Sequence, residues 1–183
     1  MIVNKNNTAS QWRKSMVITE ADKKVTAFHE AGHTLVAALM PGADPLHKVT
    51  IIPRGRALGV TWSLPEADRL SYTKTWAEAK IAMAFGGRVA EQLVYGEDHL
   101  NTGASSDINQ ATSIARSMVT EYGMSEKLGP QTYTRDARSA HLDLGLRTRE
   151  REYSEQTAQE IYEEITRIVS DAHQHVHSIL CQQ

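Results

Sequence analysis

The stretch His29-Glu30-Ala31-Gly32-His33 decides how this chain is read, because it sits inside a segment, Glu20 to about Met40, patterned as one helix. Residues four apart on a helix stand one turn above each other, so both imidazoles can reach one metal ion. Glu30 projects about 100° around the axis from His29, near enough to hold a water beside that ion. A polarised water, a carboxylate to take its proton and an open coordination position are the local chemistry of a zinc peptidase. Two histidines do not hold a catalytic zinc alone, so the motif requires a third protein ligand.

The flanks agree with a helix. Thr19, three residues before Asp22, has the capping-box pattern, and Pro41-Gly42 supplies a stop. Val25, Phe28, Gly32, Leu35, Val36 and Leu39 fall on one stripe, and that face is predicted to enter the core. His29 and His33 lie on the flank of the stripe and Glu30 further round, which puts the ligands at the edge of the core beside a cleft. Gly32 costs about 1 kcal/mol against Ala inside a helix. Its place in mid-stripe predicts that another element crosses closely there.

The chain's 183 residues suffice for one domain with a proper core. A formal charge of −2 and the lack of a long basic run give no sign of a nucleic-acid surface. Cys181 is the only cysteine, which excludes a disulfide framework and a cysteine zinc site and fits a reducing compartment. No apolar run approaches the roughly 20 residues that span a bilayer, so the chain as given is expected to be soluble.

Outward from the motif, residues 1–15 read as a polar, mobile leader. After Pro41-Gly42 the period changes. Lys48–Ile52 and Gly59–Leu64 are β-branched and aromatic runs that predict a hairpin or small sheet, with Pro53 at an edge or strand end. A free edge of that sheet near the metal would suit an extended peptide. A second helix is predicted over about Ser71 to Tyr95, where Gly86-Gly87 marks a kink or tight packing. A third is predicted over about Asp107 to Tyr122, closed by Gly123. Residues 124–151 lack periodicity and read as loop with at most short elements. The last helix runs from about Ser154 and meets the chain end without a stop signal, the pattern of a truncation.

Spacing alone leaves the third ligand open between two acids. Glu91 lies on the second helix, where some zinc peptidases carry a downstream glutamate. Asp107 begins the third helix, where an acid also serves as an ordinary first-turn partner of the helix dipole. His47 lies beyond the helix stop and reads as a residue that orients a loop and not as a metal ligand. His173, His175 and His177 near the end read as a solvated face, since no glutamate stands in the water-activating position beside them.

Several motifs, in order, resemble one family. They are Met16-Val17-Ile18-Thr19-Glu20, the HEAGH stretch, His47-Lys48-Val49-Thr50-Ile51-Ile52-Pro53-Arg54-Gly55, Leu64-Pro65-Glu66, Gly86-Gly87-Arg88 with Ala90-Glu91, Thr102-Gly103-Ala104-Ser105-Ser106-Asp107, and Tyr122-Gly123-Met124-Ser125 with Leu128-Gly129-Pro130. Together they are similar to the peptidase domain of FtsH-type AAA metalloproteases, over about Trp12 to the C-terminus. The resemblance implies a mainly α, zincin-like domain over residues 16–183, with a small β element near the active site. It implies that Zn2+ binds His29, His33 and Asp107, that Glu30 is the general base, and that Glu91 is left as a supporting or structural group. It also implies unfolded or membrane-protein substrates, a ring-shaped homohexamer, and a membrane-anchored full-length protein with an ATPase module. This chain carries no G-x-x-x-x-G-K-[ST] phosphate loop, so it is expected to be a fragment of such a protein or a stand-alone relative, with the leader and the open last helix favouring a fragment.

Overall fold

Thr19 starts the first helix as its chemistry dictates. Its hydroxyl accepts the Asp22 N–H at 3.1 Å while the Asp22 carboxylate accepts the Thr19 N–H at 3.0 Å, closing a capping box. A computed structural model describes residues 18–53, 58–65, 70–134 and 153–183. The leader 1–15, residues 54–57 between the two strand runs and residues 135–151 of the aperiodic stretch lie outside the described residues. The elements run α1 (Glu20–Leu39), β1 (Leu46–Thr50), β2 (Val60–Ser63), α2 (Lys74–Tyr95), α3 (Ser105–Thr120) and α4 (Glu155–Leu180). Two short 3-10 turns, Glu97–His99 and Thr102–Ala104, link α2 to α3. The fold is mainly α with one small antiparallel sheet.

The middle helix, α2, is the hub and packs against α1, α3 and α4. Ile81 and Val89 of α2, Val36 of α1, Met118 and Val119 of α3 and Val176 of α4 are fully buried in one cluster. Each such side chain contributes roughly 1.5–3 kcal/mol by leaving water. Two sequence expectations resolve into one contact at the α1–α2 crossing. A Cβ on Gly32 would overlap Gly86 O, and one on Gly86 would sit 2.7 Å from Gly32 O. The pair is therefore a backbone-to-backbone approach that only glycine permits. α2 runs unbroken through Gly86-Gly87, so these glycines serve packing and not a kink.

The stripe expected for α1 is half corrected. Gly32 and Val36 are buried, but Phe28, Leu35 and Leu39 are 43 %, 39 % and 46 % exposed. The inner face carries Thr26, Glu30, Gly32, His33, Val36 and Ala37 instead. The polar motif itself turns inward, which rotates the apolar stripe partly into solvent.

β1 and β2 pair antiparallel with Lys48 opposite Trp62, Val49 opposite Thr61 and Thr50 opposite Val60, and an irregularity falls between Leu46 and Lys48. The far edge of β2 pairs with no other described strand. Beyond α3, Gly123 takes the left-handed region at φ +60°, and a Cβ there would press on Pro130. Ser125 Oγ accepts the Leu128 N–H at 3.1 Å and donates to Glu164 Oε1 at 2.9 Å, while Arg167 Nε donates to Glu164 Oε2 at 2.8 Å. That satisfied cluster docks α4 onto the end of α3. Among the described residues no helix is long and apolar enough to cross a membrane.

Candidate metal centre

The α1 helix delivers two imidazoles to one point, and neighbouring elements fix which nitrogen of each faces it. His29 Nδ1–H donates to Glu91 Oε1 at 2.6 Å, and His33 Nδ1–H donates to the Met83 carbonyl at 2.7 Å. Both acceptors lie on α2. With both Nδ1 atoms committed as donors, the two Nε2 atoms are left facing each other at 3.0 Å, to carry a proton towards Asp107 in the metal-free site or a lone pair towards an ion. Asp107, in the first turn of α3, completes the group: its Oδ2 lies 3.2 Å from His29 Nε2 and 3.6 Å from His33 Nε2. Among the described residues this is the one set of three or more His, Cys, Asp or Glu side chains placed to share an ion.

The charges around the three donors favour a cation. Burial works against a charged imidazole at His29, yet the Asp107 and Glu91 carboxylates outweigh it and push its pKa up to about 9. Burial likewise opposes ionised Asp107, but hydrogen bonds from His29 and His33 hold its carboxyl well below the usual range. The field that draws a proton to His29 draws any cation placed between these side chains. Two neutral imidazole nitrogens and one carboxylate oxygen, with Nδ1 supports behind them, fit a tetrahedral divalent metal with one position left open.

The other acids take distinct places. Glu91 is buried on the far side of His29, where its second oxygen accepts from Asn101 Nδ2 at 2.7 Å. It therefore supports the imidazole from behind and does not join the converging donors. Asn101 Oδ1 in turn accepts the Gly103 N–H at 2.6 Å, tying the turn before Asp107 to the support of His29. Gly87 makes room for the ring, since a Cβ there would lie 2.5 Å from His29 Nε2. Glu30 is only 6 % exposed and forms part of the wall of a cleft of about 940 Å³ that also contains the three donors. Across that cleft β2 and the two residues before it present Leu58 through Ser63.

The histidines outside the motif go elsewhere. His47 sits on β1 with its ring edge-on to Trp62, 6.2 Å between centroids. His173 packs edge-on against Phe85, and His177 Nδ1 lies 3.5 Å from Cys181 Sγ. The expected solvated face is thus only partly solvated: His175 is exposed, while His173 and His177 are half-buried. Sequence reasoning missed Asn101, the Met83 carbonyl and Thr61, whose hydroxyl meets Glu30. A backbone acceptor leaves no trace in residue type, and a lone Thr or Asn carries no spacing signal.

The description of peptidase family M41 matches residues 16–183. The chain belongs to that family. It is 56 % identical over 169 residues to the ATP-dependent zinc metalloprotease FtsH of Syntrophobacter fumaroxidans, covering 92 % of this chain and 26 % of that protein. It is 53 % identical over 157 residues to an FtsH of Bdellovibrio bacteriovorus, covering 86 % of this chain and 24 % of the relative. With FtsH of Haemophilus influenzae the identity is 48 % over 168 residues, covering 92 % and 26 %. The chain spans about a quarter of the length of these curated relatives.

Proposed function

We propose that this M41 chain is a zinc-dependent endopeptidase domain in which His29, His33 and Asp107 hold the metal and Glu30 is the general base. The observation that carries the proposal is the convergence of His29 Nε2, His33 Nε2 and Asp107 Oδ2 beside the buried Glu30. When bound, zinc supplies a Lewis acid that lowers the pKa of water and draws charge from a scissile carbonyl. Glu30 takes the proton of the attacking water and delivers it to the departing amine nitrogen. Glu91 and the Met83 carbonyl hold the imidazoles in one tautomer and orientation throughout. An extended polypeptide adds to the open edge of β2, so main-chain hydrogen bonds select unfolded substrate without reading its sequence.

The relatives' names support an ATP-dependent parent protein, in which an ATPase module delivers unfolded chain to this domain. Membrane anchoring and a homohexameric ring belong to the same proposal. Hydrolysis of a casein-like unfolded protein, with and without a zinc chelator, tests the core of it. Cleavage should stop with chelator, and Glu30→Gln should abolish cleavage while bound zinc stays at one per chain. Retained cleavage in Glu30→Gln would sink the mechanism.

A further inference from the structure

The hydroxyl of Thr61 touches the carboxylate of Glu30, and the geometry points to Thr61 as the positioning residue that aims Glu30 at the attacking water. The inference rests on the peptidase reading above and concerns how the base is held. Thr61 Oγ1 lies 2.5 Å from Glu30 Oε2 and 3.3 Å from the Glu30 carbonyl. A hydroxyl has one proton to give, and the Glu30 carbonyl already accepts from Thr34 Oγ1 at 2.7 Å. The Thr61 proton therefore goes to the nearer acceptor, the carboxylate oxygen. Glu30 Oε1 takes no hydrogen bond from the described residues, so one carboxylate oxygen is anchored and the other is left to accept a proton.

The strand around Thr61 is shaped for this. On β2 and its lead-in, alternate residues Gly59, Thr61 and Ser63 face the helices. Gly59 lets the strand backbone lie against the base, since a Cβ there would sit 2.5 Å from Glu30 Oε1 and 2.8 Å from Thr26 Cγ2. Ser63 Oγ reaches Met83 Sδ at 3.9 Å, on the residue whose carbonyl holds His33. Thr61 is paired across the sheet with Val49, which fixes its height along α1. A glutamate side chain has three rotatable bonds, and loss of its anchor spreads the carboxylate over rotamers that miss the water.

The test compares Thr61→Val, which keeps the shape and removes the donor, with Thr61→Ser, which keeps the donor. Zinc content, kcat and KM are read for the zinc-loaded chain on an unfolded fluorogenic peptide. Thr61→Val should bind zinc fully and keep KM, while kcat falls about 10- to 100-fold, the cost of a misaimed group. Thr61→Ser should recover most of that loss. A kcat unchanged in Thr61→Val, a loss confined to KM, a loss of zinc, or no rescue by Ser would each overturn the assignment. If the unaltered chain binds zinc but cleaves nothing, the endopeptidase proposal falls by itself. Crystal structures of the unaltered chain and Thr61→Val then decide the positioning role separately: Glu30 in one conformer with Thr61 and in several without it supports the role, and an unmoved Glu30 ends it.

Discussion

His29 and His33 on α1, and His173 and His177 on α4, are both spaced four residues apart on a helix, yet their surroundings drive them in opposite directions. The α1 pair faces two carboxylates and a carbonyl, and His29 is pushed up to about 9. The α4 pair has Phe85, Arg88 and Cys181 for neighbours. There burial, with help from Arg88 and the companion imidazole, pushes His173 below its ordinary value. One environment gathers positive charge and the other repels it. Spacing on a helix makes a metal site available, and the acceptors behind the rings are what suit the α1 pair to one.

The sharpest way to break the comparison is to strip the α1 pair. His33→Ala should lower zinc affinity by more than the roughly 100-fold that loss of a supporting group causes, measured by chelator competition. Equal zinc binding in that variant would make the two pairs equivalent after all. Next in size, Glu91→Gln keeps the shape behind His29 but removes the charge, and zinc affinity should fall about 10- to 100-fold. Gly87→Ala pushes a methyl into the His29 ring, Nε2 included, while leaving every ligand and supporting side chain in place in the sequence. It should weaken zinc by about tenfold and lower stability by roughly 1–3 kcal/mol, read as a drop in Tm of the metal-loaded chain. Smallest of all, His173→Ala should leave zinc affinity and hydrolysis within about twofold and cost stability only through its lost contact with Phe85.

The same contrast explains which parts could be read from residue order. The ends of α1 were legible because caps are local: Thr19 and Asp22 announce a start within four residues. The expected strands, Lys48–Ile52 and Gly59–Leu64, lie within two residues of the observed ones, since β-branched runs carry their own signal. The buried face of α1 was misjudged because apolar periodicity assumes that polar groups face water. Here Glu30 and His33 are buried with partners from β2 and α2, while Phe28, Leu35 and Leu39 are half exposed. Glu91 and Asp107 could not be told apart by position, as both are acids downstream of the motif. What separates them is which face of His29 each meets, and that depends on how α2 and the turn before α3 pack. Resemblance favoured Asp107, and the donor geometry gives a physical reason for the same choice.

The converging donors come from α1 and α3, while their supports come from α2. A metal held there rivets three helices that otherwise meet through packing, the Gly32–Gly86 backbone approach and the hydrogen bonds behind the imidazoles. Because the unfolded chain cannot assemble that set, free metal at 100 times its dissociation constant adds about 2.7 kcal/mol to the folded state. Chelation should therefore loosen the α1–α2–α3 corner as a unit, with faster amide exchange at the Gly32–Gly86 crossing than in the loaded domain. The ion that activates water would thus also be a folding ligand, making the supply of metal a control on how long the domain lasts.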